Sequence, residues 1–432
     1  MPAPLFMAGA VGLQTELFQL VQAAVYHADG LWGEATFDLY LKDLPQDWGF
    51  AVVAGVGPAI EGVLATRFTE EEIAWLRQRP SLSRISDYFF ETLTDFVFTG
   101  DIDAMPEGTA VFPGQPILRI TAPLQQAGLI QSRLIQTIGY ATAVATRAAR
   151  MSLAAQGRPV MDFGSRRTSG AEAAWSAARA AWIGGCTATT SALAAHTLHI
   201  PEISVISGSM FSAYTDPASA YAVLGIHGSG ALYLDAPPLA DLPRLVPIKG
   251  ELRSLRLDAP DLSAASRQLR GALDALDMGS LSILGSGSLD EHAIAALRAE
   301  DAPIEMFGVG SALTAAQPLH ISYRIAQLYR GPTPEPATGR WAAPWPGRKQ
   351  VVRTPERDVI CLAREAGGLA GEPLLMPVIR QGHRISDEDP LPAMRARCQR
   401  QLPRLPEELL LLRSPGRRAV VFSEGLQAIL PK

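Results

Sequence analysis

Short apolar runs alternate with alanine- and leucine-rich stretches through the middle of this 432-residue chain. Each run ends at or next to a Gly, Ser or Asp, and the runs are VMDFG, EISVISG, ALYLDA, LRSLRLDA, LSILGSG and IEMFGVG. This repetition indicates successive βα units with parallel strands, which fold as a barrel or as a doubly wound sheet. Because the carboxyl ends of the strands carry the chemistry in both architectures, we expect a functional site there.

The segments on either side of this region follow different patterns. The first part mixes amphipathic helices, predicted near Gln14–Asp29 and Thr69–Gln78, with β-rich runs separated by Gly and Pro turns. A long helical stretch follows at Pro123–Gln156, and a proline-rich stretch at Pro332–Pro346 precedes two more strands. These changes divide the chain into residues 1–122, 123–335 and 336–432.

Composition excludes several classes of protein. Charged residues make up 19% of the chain and the formal net charge is −5, so electrostatic binding to nucleic acid or to an acidic membrane surface is not expected. Cys186, Cys361 and Cys398 stand singly, which predicts no zinc site and suits a reducing cytoplasm. No signal peptide or membrane span is predicted, since no run of about 18 apolar residues occurs.

Two glycine-rich strand ends predict a phosphate site. They are LGSGSLDE at Leu284–Glu291 and FGVGS at Phe307–Ser311. Both place small residues and backbone N–H groups at a strand-to-helix turn, where the helix dipole favours an anion. Consecutive late turns of this kind form the usual phosphate site of a βα barrel. The alternative is that these are only tight turns that need glycine.

Charged side chains stand at two other strand ends. Arg166 and Arg167 lie in MDFGSRRTSG, where they either hold an anion or decorate a surface. Arg256 and Asp258 share one face of the strand predicted at LRSLRLDA. Asp258 is thus a candidate for binding sugar hydroxyls or a magnesium ion carried by a phosphate substrate, and the alternative is a surface ion pair.

These motifs, in this order, resemble the nicotinate phosphoribosyltransferase family over nearly the whole chain. TELFQL resembles its TDLYxL, DFGSRRTSG its EFGxRRxxG, and RLDAPDL, SGSLDE, FGVGS and PGRKQVVR its later motifs. The resemblance implies the α/β fold of type II phosphoribosyltransferases, an irregular βα barrel plus an α+β module. In that fold residues 336–432 pack back on the N-terminal module.

The resemblance also implies an activity and the residues that perform it. Members transfer phosphoribosyl from phosphoribosyl pyrophosphate, carried with Mg²⁺, to nicotinate, commonly as homodimers. By family position Arg166 and Arg256 bind phosphate or carboxylate groups, and Asp258 faces the ribose. The 5′-phosphate is expected at Ser286, Gly287, Ser288, Gly308, Gly310 and Ser311. Other substrate contacts are expected at Phe18, Arg167, Thr189, Ser209, Phe211, Ser212 and Asp235.

This sequence departs from the family pattern around the site. The family histidine whose phosphorylation couples ATP hydrolysis to turnover aligns with Ser212, so ATP is not expected to be used. Phe18 replaces a tyrosine, and Pro260 removes a backbone donor from the RLDAPDL motif. We therefore expect a cytoplasmic phosphoribosyltransferase without ATP coupling, acting on nicotinate or a related aromatic base. The alternatives are a homologue that cleaves or remodels a pyridine nucleotide, and a non-catalytic nucleotide-binding paralogue.

Overall fold

The structure of the protein is a computed structural model. It describes residues 11–227, 232–315, 318–329, 331, 333–337 and 339–430. Among the helices that it describes, none combines the length and apolarity needed to cross a lipid bilayer.

Strands occur along the whole described chain. Their bounds are β1 Glu34–Leu41, β2 Ala51–Val52, β3 Asp101–Ala104, β4 Ala110–Val111, β5 Pro116–Pro123, β6 Val160–Asp162, β7 Ala188–Thr189, β8 Val205–Ile206, β9 Leu232–Asp235, β10 Leu252–Asp258, β11 Ser282–Ser286, β12 Met306–Val309, β13 Ile321–Leu328, β14 Glu335–Pro336, β15 Lys349–Arg353, β16 Arg357–Leu362, β17 Glu372–Pro373, β18 Met376–Arg380, β19 His383–Arg384 and β20 Ala419–Phe422.

Helices alternate with these strands. Their bounds are α1 Leu17–Ala28, α2 Val56–Leu64, α3 Glu70–Arg77, α4 Asp87–Thr94, α5 Leu124–Leu129, α6 Gln131–Ala154, α7 Ala171–Gly184, α8 Ala192–Leu198, α9 Pro217–His227, α10 Leu262–Ala275, α11 Glu291–Ala299, α12 Ser311–Thr314, α13 Leu391–Gln401, α14 Glu407–Leu410 and α15 Glu424–Ala428. Segments of 3₁₀ helix cover Pro80–Leu82, Ser165–Arg167, Gly208–Ala213, Leu239–Glu251, Ala366–Gly368 and Leu402–Arg404.

One compact unit combines Met1–Ala143 with Gln317–Lys432. Its seven-stranded antiparallel sheet has the order β14-β13-β1-β5-β3-β18-β19. The smaller sheets β17-β15-β16-β20 and β2-β4 belong to the same unit. These limits differ from the predicted boundaries at 122/123 and 335/336, because β13 pairs with β1 and α6 continues past Ala143.

The helix starts in this unit follow local side-chain chemistry. Thr69 caps α3, as its hydroxyl accepts the Glu72 N–H at 3.1 Å while the Glu72 carboxylate accepts the Thr69 N–H at 2.8 Å. This reciprocal capping box is the arrangement that a threonine followed three residues later by glutamate predicts. α1 begins at Leu17 with Glu16 at its N-cap, within the helix predicted near Gln14–Asp29.

The second unit, Val144–Ala316, contains a seven-stranded parallel sheet. Its order is β7-β6-β12-β11-β10-β9-β8. Strands that are consecutive in sequence are therefore neighbours, except for β7 and β8, which form the two edges. The last strand, β12, pairs with the first, β6. Between β7 and β8 the described residues share only the bridge of Thr189 with Glu202. The unit is therefore an incomplete βα barrel, which confirms the predicted fold class.

Candidate active site

The predicted polar residues of three adjacent strands lie on one face of the barrel sheet. Asp235 of β9 pairs with Arg256 of β10, and Asp258 pairs with Ser286 of β11. Arg256 also pairs with Leu284, which belongs to the apolar cluster formed by side chains of several strands. Since paired residues project to the same face, the polar residues share the barrel interior with this cluster.

Arg256 holds these three strand ends together. Its Nε donates to Ser286 Oγ at 2.7 Å, Nη1 to Asp235 Oδ1 at 2.7 Å, and Nη2 to Asp258 Oδ2 at 2.8 Å. One guanidinium thus lies between two carboxylates, so the group carries a net charge of about −1. Arg256 orients its neighbours with three of its five N–H groups.

The glycine at position 287 is required by its contact with Asp258. Gly287 has φ +103°, and a Cβ there would lie 2.2 Å from Asp258 Oδ1. Ser288 follows at φ +51°, so two successive residues occupy the left-handed region that side chains disfavour. One amide in the first turn of α11 is already bonded, because the Asp290 carboxylate accepts the Ala293 N–H at 2.8 Å.

The end of β12 is shaped by a different contact. A Cβ at Gly308 would lie 2.5 Å from the ring of Phe163, so only glycine admits that ring. Gly310 leads into α12, and Ser311 begins it with an exposed side chain. α12 is a single turn of 4 residues, too short for the dipole contribution that the sequence suggested.

The arginine turn after β6 presents two exposed guanidinium groups. Arg166 and Arg167 lie in a 3₁₀ turn, and neither side chain has a hydrogen-bond or ion-pair partner among the described residues. Backbone bonding holds the turn, since the Arg167 N–H donates to the Gly164 carbonyl at 2.7 Å. Two adjacent cations without carboxylate partners favour anion capture.

Asp162 anchors this turn and was not predicted as a site residue. Its side chain is buried, Oδ1 accepts the Gly164 N–H at 2.7 Å, and Oδ2 accepts the Thr189 hydroxyl at 2.8 Å. Burial raises the pKa of Asp162, while the bonds from Gly164 and Thr189 act in the opposite direction. Thr189, expected to contact substrate, is buried behind Asp162, and its hydroxyl also accepts the Ser191 N–H at 3.1 Å.

Asp162→Ala is expected to lower the free energy of unfolding by about 2 kcal/mol, because two donors in a buried region lose their acceptor. Asp162→Asn keeps an acceptor for Gly164 and should cost less than about 1 kcal/mol. Because the folded-state pKa is raised, the unaltered protein loses stability as pH rises from the ordinary value of 3.8 through the folded-state pKa of Asp162. The Asn variant should therefore gain relative stability from acidic to neutral pH, as urea unfolding would measure. An Ala variant as stable as the Asn variant would contradict the assignment.

The turn after β8 connects to the Arg256 group through Asp235. The Gly208 N–H donates to Asp235 Oδ2 at 2.9 Å. The predicted site residues of this turn are Ser209, Phe211 and Ser212. The first and last of these are exposed, and the phenyl ring of Phe211 packs on Tyr221 with ring centroids 4.8 Å apart.

Phe18 is the predicted site residue that belongs to the first unit. It lies in α1 of the first unit, where its side chain is 51% exposed. All the other predicted site residues belong to the second unit. His196, His199 and His227 are exposed. No group of three or more metal-ligating side chains occurs in the part of the chain that the structure describes.

Family models match both ends of the chain. A model described as the nicotinate phosphoribosyltransferase N-terminal domain matches residues 13–139, and one described as the C-terminal domain matches residues 355–430. The crystal structure of human nicotinic acid phosphoribosyltransferase resembles this fold with a TM-score of 0.82 at 23% identity, covering 96% of this chain and 99% of that one. At that identity the likeness concerns the fold.

Sequence relatives extend the match across the chain. Nicotinate phosphoribosyltransferase pncB2 of Mycobacterium tuberculosis is 33% identical over 419 residues, covering 94% of this chain and 89% of that protein. Nicotinate phosphoribosyltransferase of Bacillus subtilis is 32% identical over 371 residues, covering 81% and 74%. The human enzyme of that name is 26% identical over 524 residues, covering 98% and 96%. Together with the barrel and its polar strand ends, this similarity confirms the predicted resemblance: the chain belongs to the nicotinate phosphoribosyltransferase family.

Proposed function

We propose that this protein transfers the phosphoribosyl group from phosphoribosyl pyrophosphate to nicotinate or a related aromatic base. The observation that carries the proposal is the pair of guanidinium groups of Arg166 and Arg167, which have no partner among the described residues. They lie on the turn after β6 of the barrel whose strand ends also present the Arg256 group. A substrate with a phosphate, a pyrophosphate and a sugar has matching groups for such a site. The names of the relatives support the same reaction.

The reaction fits the side chains because it needs no strong nucleophile. The bond between the ribose anomeric carbon and pyrophosphate breaks, and pyrophosphate leaves with the electron pair. A ring nitrogen of the base then forms the new C–N bond through an oxocarbenium-like state. Arg166 and Arg167 bind the departing anion, Asp258 faces the ribose, and the turns at Gly287 and Gly310 receive the 5′-phosphate. Positioning and electrostatic stabilisation supply the rate enhancement.

Magnesium enters this proposal with the pyrophosphate substrate. Hard carboxylate oxygens are the protein ligands that Mg²⁺ accepts beside phosphate and water. The half-exposed Asp258 fits this role, since Oδ2 bonds Arg256 and its second oxygen stands next to Gly287. The ion offsets the charge of the pyrophosphate.

The proposed reaction proceeds without ATP coupling. Serine at position 212 forms no phosphoramidate, and its side chain is exposed on a turn whose other predicted side chains are Ser209 and Phe211. We also propose a cytoplasmic homodimer, which gel filtration with light scattering would test.

The test is turnover of the purified protein with magnesium, phosphoribosyl pyrophosphate and nicotinate, with and without ATP. We expect nicotinate mononucleotide to form at the same rate in both, with no phosphate released from ATP. ATP-stimulated turnover would contradict the role assigned to Ser212. Tight mononucleotide binding without turnover would favour a homologue that remodels or only binds a pyridine nucleotide.

A further inference from the structure

Tyr233 lies on the interior face of the barrel, two residues before Asp235 on β9. It pairs with Ser254 of β10 and Val205 of β8, whereas Asp235 pairs with Arg256. Side chains two residues apart on a strand project to the same face. Tyr233 is therefore deeper in the barrel than the charged group, on the same interior face.

An apolar floor lies against Tyr233. The tyrosine and Phe163 are both half-buried and pack against one cluster of side chains, namely Met161, Ala188, Ile203, Leu284 and Met306. β6, which leads into Phe163, is separated from β9 in the ring by two strands on one side and three on the other. The two aromatic residues thus belong to opposite walls above an apolar floor, an environment that suits a planar ring.

The Tyr233 hydroxyl has no partner among the residues that the structure describes. The hydroxyl oxygen makes no hydrogen bond to these residues, and it is not fully buried. Buried Tyr323, by contrast, donates its hydroxyl to the Ala127 carbonyl at 3.0 Å. A tyrosine in an apolar setting ordinarily finds such a partner. The hydroxyl of Tyr233 therefore remains open to a ligand.

We propose that the Tyr233 hydroxyl donates a hydrogen bond to the carboxylate of the aromatic acid that accepts the phosphoribosyl group. This inference rests on the proposed function and names Tyr233 as the residue that selects the ring substituent. A phenol that meets a carboxylate forms a charge-assisted bond, whereas a hydrocarbon substituent leaves the hydroxyl without an acceptor. Sites that hydrogen-bond a substrate group discriminate strongly against analogues that lack it.

Tyr233→Phe tests the proposal because it removes only the hydroxyl. We expect KM for nicotinate to rise about tenfold, with KM for phosphoribosyl pyrophosphate and the melting temperature unchanged. The inhibition constant of 3-methylpyridine, which keeps the ring but lacks the carboxylate, should be the same in both proteins. Tyr40→Phe, which removes a hydroxyl from β1 of the other unit, is the matched control and should leave every value unchanged.

The possible outcomes distinguish the role assigned to Tyr233 from the proposed function of the protein. Turnover with an unchanged nicotinate KM in Tyr233→Phe would overturn the assignment and leave the proposed function intact. Equal weakening of nicotinate and 3-methylpyridine would also overturn it, because the hydroxyl would then act through packing. Absence of turnover in the unaltered protein would contradict the proposed function and remove the basis of the inference.

Discussion

Arg256→Ala is expected to lower kcat/KM by about a thousandfold, since it removes the cation that orients three groups of the site. The side chains of Asp235 and Asp258 would then face each other as like charges, and Ser286 would lose its donor. Arg256→Lys should rescue little of this loss. A lysine ammonium is a point charge on a flexible chain and does not match three acceptors in the directions that the planar guanidinium serves.

Arg253→Ala is the matched control for this experiment. Arg253 precedes Arg256 by three positions on β10, and its side chain is exposed. Arg253→Ala should melt near the temperature of the unaltered protein, and activities are compared at a temperature at which every variant remains folded, so that activity reports on the site. Equal losses in Arg253→Ala and Arg256→Ala, or near-normal activity in Arg256→Lys, would contradict the role assigned to the guanidinium geometry.

The sequence predicted those features of the site that depend on strand alternation. Arg256 and Asp258 are two residues apart on one strand, so strand alternation predicts that their side chains share a face. In the structure Arg256 Nη2 lies 2.8 Å from Asp258 Oδ2. Strand alternation did not predict the ion pair between Arg256 and Asp235. It depends on the register of β9 against β10, which alternation within a single strand does not specify.

Asp162 and Tyr233 escaped sequence reasoning for a related reason. Both are parts of apolar runs, VMDFG and ALYLDA, whose pattern indicates only a buried strand. The importance of Asp162 comes from Thr189, 27 residues away. That of Tyr233 comes from a hydroxyl that bonds to none of the described residues. A signal was present in each case, namely a polar group inside an otherwise apolar run.

Some elements were missed because their local pattern is weak. β7 has 2 residues, too few for alternation to be recognised. α13 carries several arginines and buries only Met394 and Cys398, four positions apart, so its apolar stripe is narrow. β13 was included in the predicted barrel domain, and its pairing with β1 depends on contacts nearly 300 residues apart in sequence.

The buried carboxylate of Asp358 is expected to contribute strongly to the stability of the small sheet β17-β15-β16-β20 in the first unit. Asp358 of β16 has no exposed surface, and its oxygens accept hydrogen bonds from Arg353, Arg418 and Gln115. Both guanidinium groups also lie over the ring of Phe112, with carbon-to-centroid distances of 5.4 and 5.8 Å. One anion thus balances two guanidinium groups, of which that of Arg418 is buried and that of Arg353 is partly buried.

Asp358→Ala is expected to lower the free energy of unfolding by about 4 kcal/mol, because two neighbouring cations lose their shared counter-ion. Asp358→Asn retains the shape but not the charge and should lose less. Glu372→Ala, an exposed position on β17 of the same sheet, is the control and should change stability by less than about 0.5 kcal/mol. Urea unfolding at neutral pH measures all three.

The pH dependence gives the sharper test of this assignment. Burial alone would raise the pKa of Asp358, but bonds and charges from Arg353, with Gln115 and Arg418, lower it below its ordinary value of 3.8. A depressed folded-state pKa means that the stabilisation is present above that value and is lost as pH falls through the folded pKa. The unaltered protein should therefore lose stability in acid more steeply than Asp358→Asn. Parallel acid profiles for the two proteins would show that the pKa of Asp358 does not change on folding and would contradict the assigned ion cluster.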